Sequence, residues 1–148
     1  MNSFIKILKN TDPKIILFMG ALTLFGGILS PVLWPPAEGV TLPSLTQLPF
    51  FMFLVGVESF TFALGVVFLM KGRPLIERLT EGSKLRGQLM YFSIAWQLMS
   101  WLPHDGFHRS IGMDITGLLF LEYAFHLTLI MSSMVIAYCF FKPLESGA

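Results

Sequence analysis

The sequence predicts an all-α, polytopic integral membrane protein built as a bundle of four transmembrane helices. Of its 148 residues, 54% are hydrophobic and 13% are charged, whereas a soluble domain carries roughly 25% charged residues. The mean hydropathy is +0.70. A chain of this kind needs lipid to cover its apolar surface, and a helix satisfies all of its backbone hydrogen bonds internally, as lipid requires.

Four apolar segments supply the helices, at residues 15–34, 50–70, 85–102 and 115–141. Each is near or above the roughly 18 to 20 residues that cross a hydrocarbon core of ~30 Å. The third is the weakest because Gln97 and two further polar residues near its start dilute it. We expect residues 1–148 to form a single membrane domain.

The segments between these helices differ in composition. Residues 35–49 contain several prolines and neither Lys nor Arg, which predicts a structured loop at the membrane interface. Trp34, just before this loop, could pack over a polar site. Residues 71–84 are basic, and Pro74 to Leu79 could form a short amphipathic turn on the membrane surface. The lone cysteine, Cys139, excludes an internal disulfide, and we expect it to be an apolar filler near a helix end.

The basic residues predict the orientation, because short loops rich in Lys and Arg stay on the cytoplasmic side. The N-terminal segment has three, the middle loop extended to Arg86 has five and the C-terminal tail has one, against one in the two other loops. Both termini and the loop 71–84 are therefore expected in the cytoplasm. The outer loops 35–49 and 103–114 then face the extracytoplasmic side, most simply of the plasma membrane. A net charge of +1 gives no basic field for nucleic acid.

Three ionisable residues fall within predicted helices, where each costs about 2.5 to 3.5 kcal/mol and usually marks function. At ~1.5 Å per residue, Glu58 lies about 12 Å, Glu122 about 10 Å and His126 about 16 Å below the outer surface. The uncharged Gln97 lies at about 8 Å. All four fall in the outer half of the bilayer. Glu122 and His126 also share one helix face, because they are four residues apart.

The connection "WLPHDGFHRSIGMD" places two of the three histidines of the chain, His104 and His108, above these residues. We expect Pro103 to end the third helix, since proline cannot continue the hydrogen-bond ladder. Gly106 is expected to supply a turn. Asp114 has the position and chemistry of an N-cap for the fourth helix.

The five residues His104 to His108 are similar to the first histidine box of the membrane fatty-acid desaturases and hydroxylases, in which three residues separate two histidines. The similarity ends with this box. That family has further boxes of paired histidines on the cytoplasmic side, whereas this chain has one other histidine and an outward-facing motif. The sequence therefore assigns the chain to no family.

The preferred hypothesis is a site on the extracytoplasmic side that binds a metal or haem, with possible redox chemistry. The nitrogen and oxygen donors suit zinc, copper or iron, and two histidines alone can ligate haem. The predicted ligands are His104, His108, His126, Glu58 and Glu122. Further contacts to the cofactor are expected from Gln97, Asp105 and Arg109.

Two alternatives remain. The protein could be a membrane enzyme in which Glu58, Glu122 and His126 move protons on a lipid-soluble substrate such as a sterol, quinone or isoprenoid. It could also be a non-enzymatic subunit or assembly factor of a larger membrane complex, in which the polar residues fix helix packing. Possible partners besides the bilayer are therefore a hydrophobic small molecule or a membrane subunit. The sequence leaves open whether the protein is an enzyme.

Overall fold

The computed structural model describes residues 12–39, 41, 43–111 and 118–145, with side chains described as far as residue 141. Within these residues the chain forms six helices and no strand, which confirms the all-α class. The helices are α1 (Pro13–Leu33), α2 (Leu48–Lys71), α3 (Arg73–Leu79), α4 (Lys84–Met99), α5 (Trp101–Ile111) and α6 (Leu119–Glu145). The predicted N-cap at Asp114 lies outside the described residues.

Three helices in the described part of the chain are long and apolar enough to cross a membrane: α1, α2 and the stretch Leu119–Phe141 of α6. Their large apolar side chains point away from the protein, as Leu17, Phe53 and Phe120 illustrate with exposures of 75%, 74% and 88%. Contiguous apolar surface of this kind is rare on soluble monomers. The chain is therefore an integral membrane protein whose outer surface faces the lipid bilayer.

The third predicted helix bends at Ser100 instead of ending at Pro103. α4 ends at Met99, and α5 begins two residues later with Pro103 in its first turn. Proline has no N–H to donate to the Met99 carbonyl, and its ring crowds that carbonyl, so the helix kinks. The N–H of His104 still donates to the Ser100 carbonyl at 3.1 Å. With 16 residues, α4 is too short to count among the candidate spans.

The motif predicted to be a loop at 103–114 is helical as far as Ile111. Gly106 is accordingly not a turn residue, because it lies in the middle of α5. Its function is close packing: a Cβ added there would lie 2.8 Å from the ring of Trp34, which follows α1. The glycine thus lets α5 lie directly against the indole, and Trp34 covers this part of the protein as the sequence suggested.

The long helices pack in a row, with α1 against α2, α2 against α4 and α4 against α6. α5 packs against α1, α2 and α4, so the histidine motif meets several helices. The short helix α3 covers the predicted turn at Pro74 to Leu79 and packs on α4. There, Ile76, Met90 and Cys139 form a small buried apolar cluster, which agrees with the filler function expected of the cysteine.

The contact between Gly106 and Trp34 generates a stability prediction. Gly106→Ala is expected to destabilise the protein, because overpacking costs about 1 to 3 kcal/mol, whereas alanine gains only about 1 kcal/mol over glycine inside a helix. Unfolding in detergent micelles, followed by circular dichroism, measures the change.

Gly20→Ala in α1 is the matched control, because a Cβ added at Gly20 meets no atom within 4 Å. This variant should be as stable as the unaltered protein or slightly more stable. If the two alanine variants shift the unfolding midpoint equally and in the same direction, the Trp34 contact does not limit the size of residue 106.

Candidate metal centre

The carboxylate of Glu122 on α6 lies among all three histidines of the chain. The residue is 5% exposed. Its Oε1 is 3.2 Å from His104 Nε2, and its Oε2 is 3.3 Å from the same nitrogen and 3.2 Å from His126 Nδ1. His108 Nε2 contacts Oε1 directly. The prediction that histidines of the motif meet polar residues of the last helix therefore agrees with the structure.

The spacing of these atoms suits a shared ion. One donor atom from each of His104, Glu122 and His126 lies within 4.8 Å of the other two. Two donors that bind one ion at 2.0 to 2.1 Å with a tetrahedral angle are about 3.3 Å apart. The observed contacts of 3.2 and 3.3 Å match that separation. They are longer than the roughly 2.7 to 2.9 Å of a hydrogen bond between an ionised pair.

Helical periodicity explains how four side chains come together from two helices. Glu122 and His126 are four residues apart on α6, as are His104 and His108 on α5, so each pair lies on one helix face. The two imidazoles on α5 approach each other with Nε2 atoms 3.2 Å apart. The first pair was expected from the sequence, but the second depended on whether the motif is helical.

Aromatic side chains hold the ring of His104. Phe125 stacks on it with ring centroids 3.8 Å apart and planes inclined by 5°, and Trp101 meets it edge-on at 6.4 Å. The two aromatic contacts thus fix the ring of His104 beside Glu122.

The site is enclosed on one side and open on the other. The side chains of His104 and His108 are 13% and 21% exposed, whereas that of His126 is 56% exposed. The donors are therefore covered by protein on the side of His104 and uncovered on the side of His126. Within the described residues, Nδ1 of His108 is buried and has no hydrogen-bond partner.

Glu58 lies on α2 in a second polar group. It is buried, and its charged neighbours are Asp105 and Arg109. Arg109 Nη2 donates to Asp105 Oδ2 at 2.6 Å, and Nη1 makes a long 3.5 Å contact with Ser30 Oγ on α1. α5 thus presents two stripes of polar residues. His104 and His108 face α6, and the ion pair of Asp105 and Arg109 faces α1 and α2.

Gln97 joins two helices. Its Nε2 donates to the Leu129 carbonyl at 2.7 Å and lies 2.8 Å from Ser133 Oγ, which connects α4 to α6. The sequence pattern does not mark Phe125 as a residue of the site. Its position three residues after Glu122, on the same helix face, was the available signal, but aromatic residues are common in this chain.

Two imidazoles with one carboxylate form a ligand set that both zinc and non-haem iron use, and such a set leaves coordination positions open. An ion with an open position can polarise a bound oxygen or activate water. Comparison of the chain with models of protein families, with curated proteins and with solved structures finds no match.

Proposed function

We propose that the protein is a membrane metalloprotein that binds one divalent transition metal ion through His104, Glu122 and His126. The observation that carries this proposal is that Glu122 Oε2 lies 3.3 Å from His104 Nε2 and 3.2 Å from His126 Nδ1, because these separations match edges of a metal coordination shell, and all three residues offer donor atoms within 4.8 Å of one another. A single ion fits better than haem. The rings and the carboxylate are in mutual contact, which leaves no slot for a flat macrocycle between two histidines.

His108 supports the ligands in this proposal. Its contact with Oε1 holds the Glu122 carboxylate in position, as outer-sphere partners commonly do for metal ligands. The remaining residues of the predicted site serve other contacts. Gln97 bonds to α6, and Glu58 lies beside the ion pair of Asp105 and Arg109, so none of these four is assigned a place in the metal shell.

We also propose that α4 and the start of α5 together form a fourth membrane crossing. The 16 residues of α4 span about 24 Å, less than a hydrocarbon core of ~30 Å, and the first turns of α5 supply the rest. With four crossings, both termini lie on the side of the basic residues, which is the cytoplasm. The metal centre then faces the extracytoplasmic side of the plasma membrane.

A second candidate function has one observation in its favour. His126 is 56% exposed on a helix whose other exposed residues are mostly apolar, and a polar ring that faces lipid is costly. A partner subunit packed on α6 would cover it. The protein would then be a subunit or assembly factor of a membrane complex, and it would co-purify with that complex in a fixed ratio.

Metal binding is tested on protein purified in detergent without chelator. Elemental analysis is expected to find about one zinc, copper or iron per chain, and Co²⁺ added to chelator-treated protein should give a tetrahedral absorption spectrum. His104→Ala, His126→Ala and Glu122→Gln should each weaken binding beyond the roughly 10- to 100-fold loss caused by removing an outer-sphere partner. His108→Gln should fall within that range.

Glu77→Gln is the control for the glutamate variant, because Glu77 is exposed and pairs with Arg73 on α3. It should bind metal like the unaltered protein. The proposal fails if purified protein contains no metal and Zn²⁺, Cu²⁺ and Fe²⁺ leave its thermal stability unchanged. It also fails if Glu122→Gln retains full affinity.

The orientation is tested with single cysteines introduced into a Cys139→Ala background. Glu38→Cys, in the loop after α1, should react with a membrane-impermeant maleimide in intact cells. Lys71→Cys, at the end of α2, should react only after the membrane is permeabilised. Both positions are exposed, so accessibility reports the side of the membrane. The reverse pattern, or labelling of both in intact cells, contradicts the proposed topology.

A further inference from the structure

A cavity of about 590 Å³ lies between the short helix α3 and the first half of α4. Its volume falls in the range of roughly 300 to 1,000 Å³ that is usual for ligand pockets. The segment that contains α3 joins α2, a candidate span, to α4, which packs against α2 and α6. The cavity therefore begins where the chain turns at one surface of the membrane, and it follows α4 into the bundle.

The wall that α4 gives to this cavity changes from polar to aromatic along one helix face. Lys84, Gln88, Tyr91 and Phe92 all line it, and their spacing places them on the same side of the helix. Lys84 is the first residue of α4, and Phe92 lies about 12 Å further along the helix axis. Phe92 is 64% exposed, so this end of the cavity opens toward the hydrocarbon. The wall thus has the order of chemistry of a phospholipid, from charged headgroup to acyl chain.

The charges of the wall favour an anion. Arg73 and Glu77 pair with each other at 3.2 Å, so their charges cancel. Lys84 is exposed and has no ion-pair partner among the residues that the structure describes. The side chain of Ser83 makes no capping bond to α4, so its hydroxyl is available beside the lysine. One positive charge therefore remains at the end of the cavity that lies at the membrane surface.

The bilayer itself supplies a molecule for this cavity. The chain is an integral membrane protein, so lipid covers the apolar surface next to Phe92 and can enter from the side. Basic pockets beside membrane helices bind anionic headgroups, and the segment 71–86 has five basic residues against two acidic ones. A zwitterionic headgroup would bring its own cation toward Lys84, whereas an anionic headgroup brings its phosphate without one.

We propose that the cavity between α3 and α4 binds one anionic phospholipid, with its phosphate beside Lys84 and Ser83 and an acyl chain along Tyr91 and Phe92. The proposal goes beyond metal binding and shares no residue with the histidine site, so the two proposals fail separately. A free phosphate ion carries the same charge, but it has no chain to occupy the aromatic end of the cavity. The lipid is therefore the occupant that matches both ends.

Binding is measured by native mass spectrometry of protein that has been stripped of lipid in an uncharged detergent. Dioleoyl phosphatidylglycerol should bind with a lower Kd than dioleoyl phosphatidylcholine, which has identical chains. Lys84→Gln should weaken phosphatidylglycerol binding about 5-fold, because a lysine near an anionic lipid contributes about 1 kcal/mol, and should leave phosphatidylcholine binding unchanged.

Lys14→Gln is the matched control for the charge, because Lys14 is an exposed lysine at the start of α1 that does not line the cavity. It should bind phosphatidylglycerol like the unaltered protein. Equal Kd values for the two lipids, or equal effects of the two lysine variants, overturn the proposal. An excess of inorganic phosphate should leave the lipid bound, and displacement by it would identify a site for a free anion instead of a lipid.

A second pair of variants tests the location. Gln88→Trp fills the cavity, because Gln88 lines it, and should weaken phosphatidylglycerol binding more than Lys84→Gln does. Leu89→Trp is the control, since Leu89 is the next residue of α4, is 48% exposed and does not line the cavity. Circular dichroism checks that both variants fold. If the two tryptophan variants bind phosphatidylglycerol equally well, the lipid does not occupy this cavity.

Discussion

The arrangement of α5 and α6 depends on the contacts between the buried Glu122 carboxylate and the histidines. A carboxylate in an apolar bundle is costly unless charges or hydrogen-bond donors surround it. Here His104, His108 and His126 supply three imidazole nitrogens to its two oxygens. These side chains connect α5 to α6, whereas the rest of α5 packs against α1, α2 and α4.

The bend at Ser100 makes that arrangement possible. Pro103 removes one backbone hydrogen bond and kinks the helix without ending it, so α5 leaves the direction of α4 while its side chains keep helical spacing. Gly106 then allows close contact with Trp34. One proline thus positions the histidines and the indole together.

α5 carries two polar stripes, whereas the sequence suggested that the histidines, Asp105 and Arg109 all belong to one site. Asp105 and Arg109 pair with each other near α1 and α2, beside Glu58. Asp105 and Arg109 satisfy each other's charge, which is the usual need of ionisable residues between membrane helices, whereas Glu58 Oε2 is buried without a hydrogen-bond partner among the described residues. The histidine stripe faces Glu122, where donors of two kinds converge and one side stays open. Chemistry is therefore proposed only for the second stripe.

The sequence by itself determined the helical membrane class, because low charge and long apolar segments are properties of composition that no tertiary contact can reverse. It also determined the pairing of Glu122 with His126, since helical periodicity places residues four apart on one face. Only the tertiary structure decided that Pro103 bends the helix and that Gly106 packs on Trp34. It also placed Glu58 beside Asp105 and Arg109. Estimates of depth locate a residue along the membrane normal, but they carry no information about the direction around the helix axis in which its side chain points.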